Sequence, residues 1–343
     1  MRVIMTSFNY RSLANWLPLA DEIRRRDGVC NFALFPRESD PDHRGLFKLK
    51  SHVVFSEPID EDFNFIKIDE KKVLAEIAKI SGSYDAILMA SCILGPELKI
   101  RAAIGDKNKR PSVIGLQHGF FQLWDSYEKN SHCFDLFGVF GKDFVNKFSE
   151  RFRHRVIPLG LPKLDLIQRR QQEKKNRVLF ILQSWGPLEA VESIVKGMGE
   201  NGFDVQLRSH PEHRMIYDDL HSSGVRFSDP EIPLQNQILD FDYVITSGST
   251  AALEALEARI PTAIIPAQYG DEYQKFGIVA KDFTVDSIRS VLTSFESSRI
   301  WPAIDAQLIN CTGPRGSRAS FAYTQLKRSL RAPSIWQRLL STL

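Results

Sequence analysis

The stretch "LRSHPEHR" sets two histidines, His210 and His213, three residues apart, with Arg208 and Arg214 at its flanks. Such a group can be a metal site, a catalytic pair, an anion-binding turn or a polar loop. A zinc site takes three or four ligands. Beyond His213, no His, Cys or Asp cluster at ligand spacing clearly joins His210, so metal is the weak reading. The residues leading in, "DVQLRS", read as a strand. Pro211 fixes its own φ and forces His210 into an extended conformation, which aims the imidazole off the strand tip. There it can donate to a phosphate or nucleotide oxygen. Arg208 either adds charge or serves the strand.

A second strand end carries "DYVITSGSTAALEALEA". A buried run stops at Ser247, Gly248, Ser249 and Thr250, and a helix opens at once. Gly248 allows the tight turn, and the hydroxyls and free N–H groups of the helix start form a phosphate site at the sheet edge. Helix capping by Ser249 or Thr250 uses the same groups and is compatible with it. Glu254 stands too far along for a reciprocal cap, and can receive ribose hydroxyls or complement the helix dipole.

The third strand end is "SVIGLQHGFFQLWD". It places Gln117, His118 and Gly119 at the tip, with glycine permitting close approach. A histidine there, with a pKa near working pH, can take a proton from an acceptor hydroxyl; the competing role is to brace the loop. Asp125 is a weaker base, or a residue that orients His118 or caps the next turn. Gln183 and Ser184, after "RVLFIL", line the donor side. Asn9 and Arg11, after the first strand, are acceptor-side candidates. "TGPRGSRAS" offers a second anion contact at Arg315, Gly316 and Ser317, and "DFD" at 240–242 precedes a strand and reads as surface charge.

These tips need strands to hold them. Apolar runs "RVIM", "NFALF", "DAILMA", "SVIGLQ", "LFGVF" and "RVIPLG", then "RVLFIL", "DVQLRS", "YVITS" and "TAIIP", are continuous, as in parallel strands buried on both faces. Amphipathic helices such as "PLADEIRRR", "EKKVLAEIAKI" and "PLEAVESIVKGM" alternate with them. The pattern predicts an α/β protein of two Rossmann-like domains facing across a cleft. The polar stretch "KLDLIQRRQQEKKN" breaks the alternation and reads as the linker, with a solvated helix within one domain as its alternative. Expected boundaries are 1–165 for the acceptor side, 166–310 for the nucleotide donor side and 311–343 for a basic helical tail.

At 343 residues with net charge +3, the chain fits two domains and no dedicated nucleic-acid binder. Four scattered cysteines suit a reducing compartment. No export signal and no apolar run of roughly 18–20 residues is present, which points to the cytoplasm. After Asp305 the sequence holds six Arg/Lys and no acid, together with Trp336 and several leucines. That tail either rests on anionic lipid headgroups or packs on the protein itself.

In order and placement the motifs resemble the GT-B glycosyltransferases, in particular bacterial envelope-polymer enzymes with a His-Pro motif followed by a Ser/Thr motif. These include the CDP-glycerol glycerophosphotransferases and the transferases of CMP-activated Kdo and sialic acid. His210-Pro211 and Ser247–Thr250 match the two motifs, and His118-Gly119 looks like their histidine-glycine base element. Arg315 stands where the acidic residue of their tail motif would be, and "QHG" lacks the tryptophan common in the teichoic enzymes. The resemblance implies metal-independent transfer, without cofactor, from a nucleotide-activated donor, cytidine first, to a lipid-linked or growing glycan. The UDP-GlcNAc 2-epimerases are similar in fold and in their serine-glycine helix start, so epimerisation is the alternative. A non-catalytic assembly subunit is the third reading.

Overall fold

The computed structural model describes residues 1–7, 10–35, 53–55, 70–90, 95–105, 110–120, 124–170, 175–183, 188–209, 220, 224–229, 232–267 and 270–331. The chain divides into two compact units, one of residues 1–118, 123–165 and 309–343, the other of 119–122 and 166–308.

In the first unit the strands are β1 (Arg2–Ser7), β2 (Val29–Leu34), β3 (Val53–Phe55), β4 (Ala86–Met89), β5 (Ser112–Leu116), β6 (Leu136–Val139) and β7 (Val156–Pro158). They form one sheet in the order β3-β2-β1-β4-β5-β6-β7, with every pairing parallel. Helices α1 (Tyr10–Ala14), α2 (Leu17–Arg25), α3 (Glu70–Ile80), α4 (Ile100–Ile104), α5 (Trp124–Lys129), α6 (Lys142–Val145) and α7 (Glu150–Arg153) lie between them. The order reverses beside β1, so the crevice outside the carboxyl ends of β1 and β4 is the switch point of this sheet.

The second unit contains β8 (Arg177–Ile181), α8 (Leu188–Glu200), β9 (Asp204–Arg208), α9 (Leu234–Gln237), β10 (Tyr243–Thr246), α10 (Ala251–Glu257), β11 (Thr262–Ile264) and α11 (Val285–Ser294). Its sheet runs β11-β10-β8-β9, again parallel, with the switch point between β8 and β10. Both sheets are thus parallel α/β layers of the Rossmann kind, as the unbroken apolar runs require. Val3, Ile4, Met5, Ile87, Leu88, Leu179, Val244 and Ile245 are fully buried. Burying each such side chain contributes about 1.5–3 kcal/mol.

Helices α12 (Ile300–Thr312) and α13 (Arg318–Arg331) end the described chain, and from Ile309 onward it counts with the first unit. The reason is local. Ala322, Tyr323 and Leu326, the apolar side of α13, are buried, and the Arg26 guanidinium lies 4.6 Å over the Tyr323 ring while donating to the Ser320 hydroxyl at 2.7 Å. Arg318 is completely buried, and it faces Thr312 at 3.2 Å and Asp165 at 3.5 Å. The Asp165 carboxylate also receives the Ala319 N–H at 2.9 Å.

One expectation is corrected here. Asp242 is not surface charge: it is 1% exposed and accepts from the N–H groups of Lys175 and Arg177, both at 2.8 Å, and from Arg170. The carboxylate ties the start of the second unit to its sheet, while Asp240 is exposed.

Gly141 packs without a side chain against the backbone of Asn310 and Cys311, where an added Cβ would collide with main-chain atoms. Gly141→Ala is therefore expected to lower the urea unfolding free energy by about 3 kcal/mol, the scale of overpacking in a rigid core. Unchanged stability would show that the 309–331 segment does not hold the first unit together.

Candidate functional site

Each unit collects polar groups at the carboxyl ends of its strands. In the second unit, Gln183 follows β8 and Ser247 follows β10, so the two flank the switch point, and both are buried. Gly248 has φ 94, a left-handed backbone that glycine adopts without the Cβ penalty. The turn it makes is tied down on several sides. Ser249 Oγ accepts the Ala251 N–H at 3.2 Å, and the Ser249 carbonyl accepts the Tyr273 hydroxyl at 2.6 Å. The Thr250 hydroxyl accepts the Phe120 N–H at 3.1 Å.

That last bond joins two of the predicted motifs. Phe120 is fully buried, with its ring 4.9 Å from that of Tyr273 and the Lys275 ammonium 5.6 Å above it. Phe120 therefore folds with the serine-threonine turn. Neither Phe120 nor Tyr273 was singled out from sequence. The only available hint was the doubled phenylalanine behind Gly119.

Arg208, at the end of β9, is 9% exposed. It donates to the carbonyls of Asp229 at 3.1 Å and Ile232 at 3.0 Å and to the Gln237 side chain. The guanidinium thus positions the chain between β9 and α9. Glu254, in α10, is 2% exposed. His210, Pro211 and Ser184 lie outside the described residues, as does Asn9. Arg11 falls in α1, and its side chain is not described.

In the first unit, Gln117 is fully buried and its side-chain oxygen accepts the Phe140 N–H at 2.9 Å, which ties the ends of β5 and β6 together. The His118 carbonyl accepts from the Asn15 amide at 3.0 Å, and its Nδ1 lies 3.2 Å from the Tyr127 hydroxyl. In the tautomer whose Nδ1–H donates to that hydroxyl, Nε2 keeps its lone pair and can receive a proton. Tyr127 thus stands where Asp125 was the expected orienting partner; Asp125 is exposed in the first turn of α5. His118 keeps part of its surface open, yet desolvation by the protein around it brings its pKa down from 6.5 to about 4, which corrects the expectation of a value near working pH.

Sequence reasoning also passed over Glu97. It is fully buried, follows Gly95 (φ 95) and Pro96, and accepts the Thr6 hydroxyl at 2.8 Å beside the carboxyl end of β1. Its signal, a lone glutamate after Gly-Pro, resembles any turn. Among the described residues, no three His, Cys, Asp or Glu side chains gather as metal ligands would, and no helix is long and apolar enough to cross a membrane.

No protein-family model and no curated protein sequence matches the chain. Solved structures do match. S. aureus MnaA, solved with UDP, superposes with a TM-score of 0.64 at 11% identity, over 97% of each chain. The UDP-GlcNAc 2-epimerase from Neisseria meningitidis, bound to UDP-GlcNAc, gives 0.62 at 12%, over 96% of this chain and 100% of that one. The glycosyltransferase SnogD from Streptomyces nogalater gives 0.53 at 15%, over 96% and 99%. The chain has the GT-B type of fold that these proteins share.

The His118 pKa sets a sign for stability. Between about 4 and 6.5 the unfolded chain takes up a proton that the folded one refuses. The contribution is therefore complete above pH 6.5 and lost as pH falls toward 4. His118→Gln should flatten the unfolding free energy against pH in that window. An unchanged slope would mean that the imidazole is hydrated and ordinary.

Proposed function

We propose that the protein is a nucleotide-sugar-dependent transferase of GT-B type, acting without a metal in cell-surface polysaccharide assembly. The observation that carries this is the carboxyl edge of the second sheet. There, at the switch point, β10 ends in a Ser-Gly-Ser-Thr turn pinned by Tyr273 and Phe120. This is the edge at which doubly wound sheets bind nucleotides. The comparison structures solved with UDP or UDP-GlcNAc have the same fold.

In this reading the second unit holds the donor through Ser247, Gly248, Ser249 and Thr250, with Gln183 and Glu254 beside them and Arg208 shaping the wall, and the His210-Pro211 motif is assigned to the same donor. A donor with cytidine as its base follows from the motif resemblance. Fixed N–H and hydroxyl donors stabilise the charge on the departing nucleotide, which is where most of the rate arises. The acceptor oxygen forms its bond to the transferred group as the bond to the nucleotide phosphate breaks, and the acceptor proton passes to His118 Nε2. Gln117, Gly119, Asn9, Arg11 and Asp125 belong to the acceptor side. The acceptor is a lipid-linked or growing glycan, handled at the cytoplasmic face of the membrane.

One observation favours a second reading, epimerisation of a nucleotide sugar: the named epimerase superposes better than the glycosyltransferase, 0.62 against 0.53. The two separate cleanly. Inversion at a sugar carbon that bears hydrogen breaks a C–H bond, so an epimerase run in D2O without acceptor puts deuterium into its substrate. A transferase does not.

The transfer reading predicts that CMP, CDP, UDP or GDP raises the melting temperature, that no deuterium enters the donor, and that turnover needs an acceptor. His118→Ala should lower kcat by about 10²–10⁴-fold, the usual contribution of a general base. Absence of any nucleotide shift would overturn the donor site. Deuterium incorporation without acceptor would replace transfer by epimerisation.

A further inference from the structure

At the opposite, amino-terminal edge of the first sheet, the positive charge is unbalanced. Residues 128–135 and 149–155 together with Arg101 and Arg110 hold six Arg/Lys against three Asp/Glu, an excess of three in a chain whose whole net charge is +3. The centre is Asp135, just before β6. Its carboxylate receives Arg101, both terminal nitrogens of Arg110 at 3.2 and 3.0 Å, and the Val113 N–H at 2.9 Å. That leaves no carboxylate for Arg155, which binds backbone carbonyls instead: Asp135 at 2.9 Å, Ser131 at 2.8 Å and Phe134. Its guanidinium lies over the rings of Phe152 at 5.1 Å and Phe134 at 5.8 Å.

Beside this arginine opens a cavity of about 420 Å³, lined by Glu128, Ser131, Arg151, Phe152, His154 and Arg155. The volume falls in the range of small-ligand sites. Arg155 Nη1, the Arg151 guanidinium, the His154 ring and the Ser131 hydroxyl have no protein partner among the described residues. Glu128 is the one carboxylate in the lining, and its Oε1 takes the Ser149 N–H. Donors therefore converge on a space that offers little acceptor capacity. Guanidinium forks match phosphate oxygens in both geometry and charge.

We propose that this cavity is a phosphoryl-binding site, separate from the nucleotide edge of the second unit. Its ligand is a phosphate monoester or diphosphate group. Arg155 forms the fixed floor, since three carbonyls and two rings hold it, and Arg151 and His154 close on the ligand from the exposed side. The phosphate belongs either to a lipid headgroup or to a soluble molecule.

The test is calorimetry of the full chain with inorganic pyrophosphate, comparing the native protein with Arg151→Ala/His154→Ala. Both residues are exposed and hold no structural bond, so the variant should keep its unfolding midpoint and its UDP affinity. The expected result is one class of pyrophosphate site weakened at least tenfold. An isotherm identical to the native one, or no binding at millimolar pyrophosphate, overturns the proposal. Co-sedimentation with phosphatidic acid vesicles, but not with phosphatidylcholine vesicles, that is lost in the variant assigns the phosphate to a lipid headgroup. Weakened pyrophosphate binding without co-sedimentation assigns it to a soluble ligand. The pyrophosphate difference is read independently of the donor hypothesis, because the UDP arm reports on the second unit alone.

Discussion

A parallel sheet covered on both faces by helices leaves polar side chains few places to stand. Along the middles of β1, β4, β8 and β10 the buried side chains are apolar, and the backbone donors and acceptors are used by neighbouring strands. Hydroxyls, amides and imidazoles are therefore driven to the strand ends, where the ladder stops and the chain must turn. Gln117, His118, Gln183 and Ser247 all occupy such ends. That sorting concentrates hydrogen-bonding capacity at two carboxyl edges and leaves the amino edges to charged groups.

The amino edges show the same constraint resolved differently. Asp135 in one unit and Asp242 in the other sit just before a strand, each gathering backbone N–H groups and arginine. In both, desolvation pushes the carboxyl pKa up, but those hydrogen bonds and charges outweigh it and hold the pKa below the ordinary aspartate value. The carboxylates therefore stay ionised and anchor the sheet. The difference lies in supply. Asp242 is matched with Arg170, while Asp135 faces more guanidinium than it can neutralise.

Much of this was legible in the sequence. Each of the ten apolar runs holds a strand, since runs this short, alternating with helix-length amphipathic segments, fit strands better than buried helices. Among the described residues the strand missed is Val53–Phe55, three residues long and too short for periodicity to register. The site was less legible because hydrogen-bond partners lie far apart in the chain. "DFD" reads as solvated charge, since nothing local says that Asp242 meets Lys175 and Arg177 across 65 or more residues. Likewise the local pattern leaves Arg208 open between added charge and a structural role, because its carbonyl partners at Asp229 and Ile232 lie 21 and 24 residues away. A strand-end motif identifies a location from local pattern; the role of each side chain there is set by tertiary neighbours.

The division of the chain has a consequence for its synthesis. The first unit is sewn from three separate segments, and the last of them supplies Arg318 for Asp165 and the backbone of Cys311 for Gly141. During translation the second unit, nearly continuous in sequence, is complete before that segment leaves the ribosome. The first unit must wait with the buried side of α2 uncovered and Asp165 without its arginine. Its exposed apolar surface in that interval makes it the portion most dependent on chaperones, and truncations near residue 308 the most prone to aggregate.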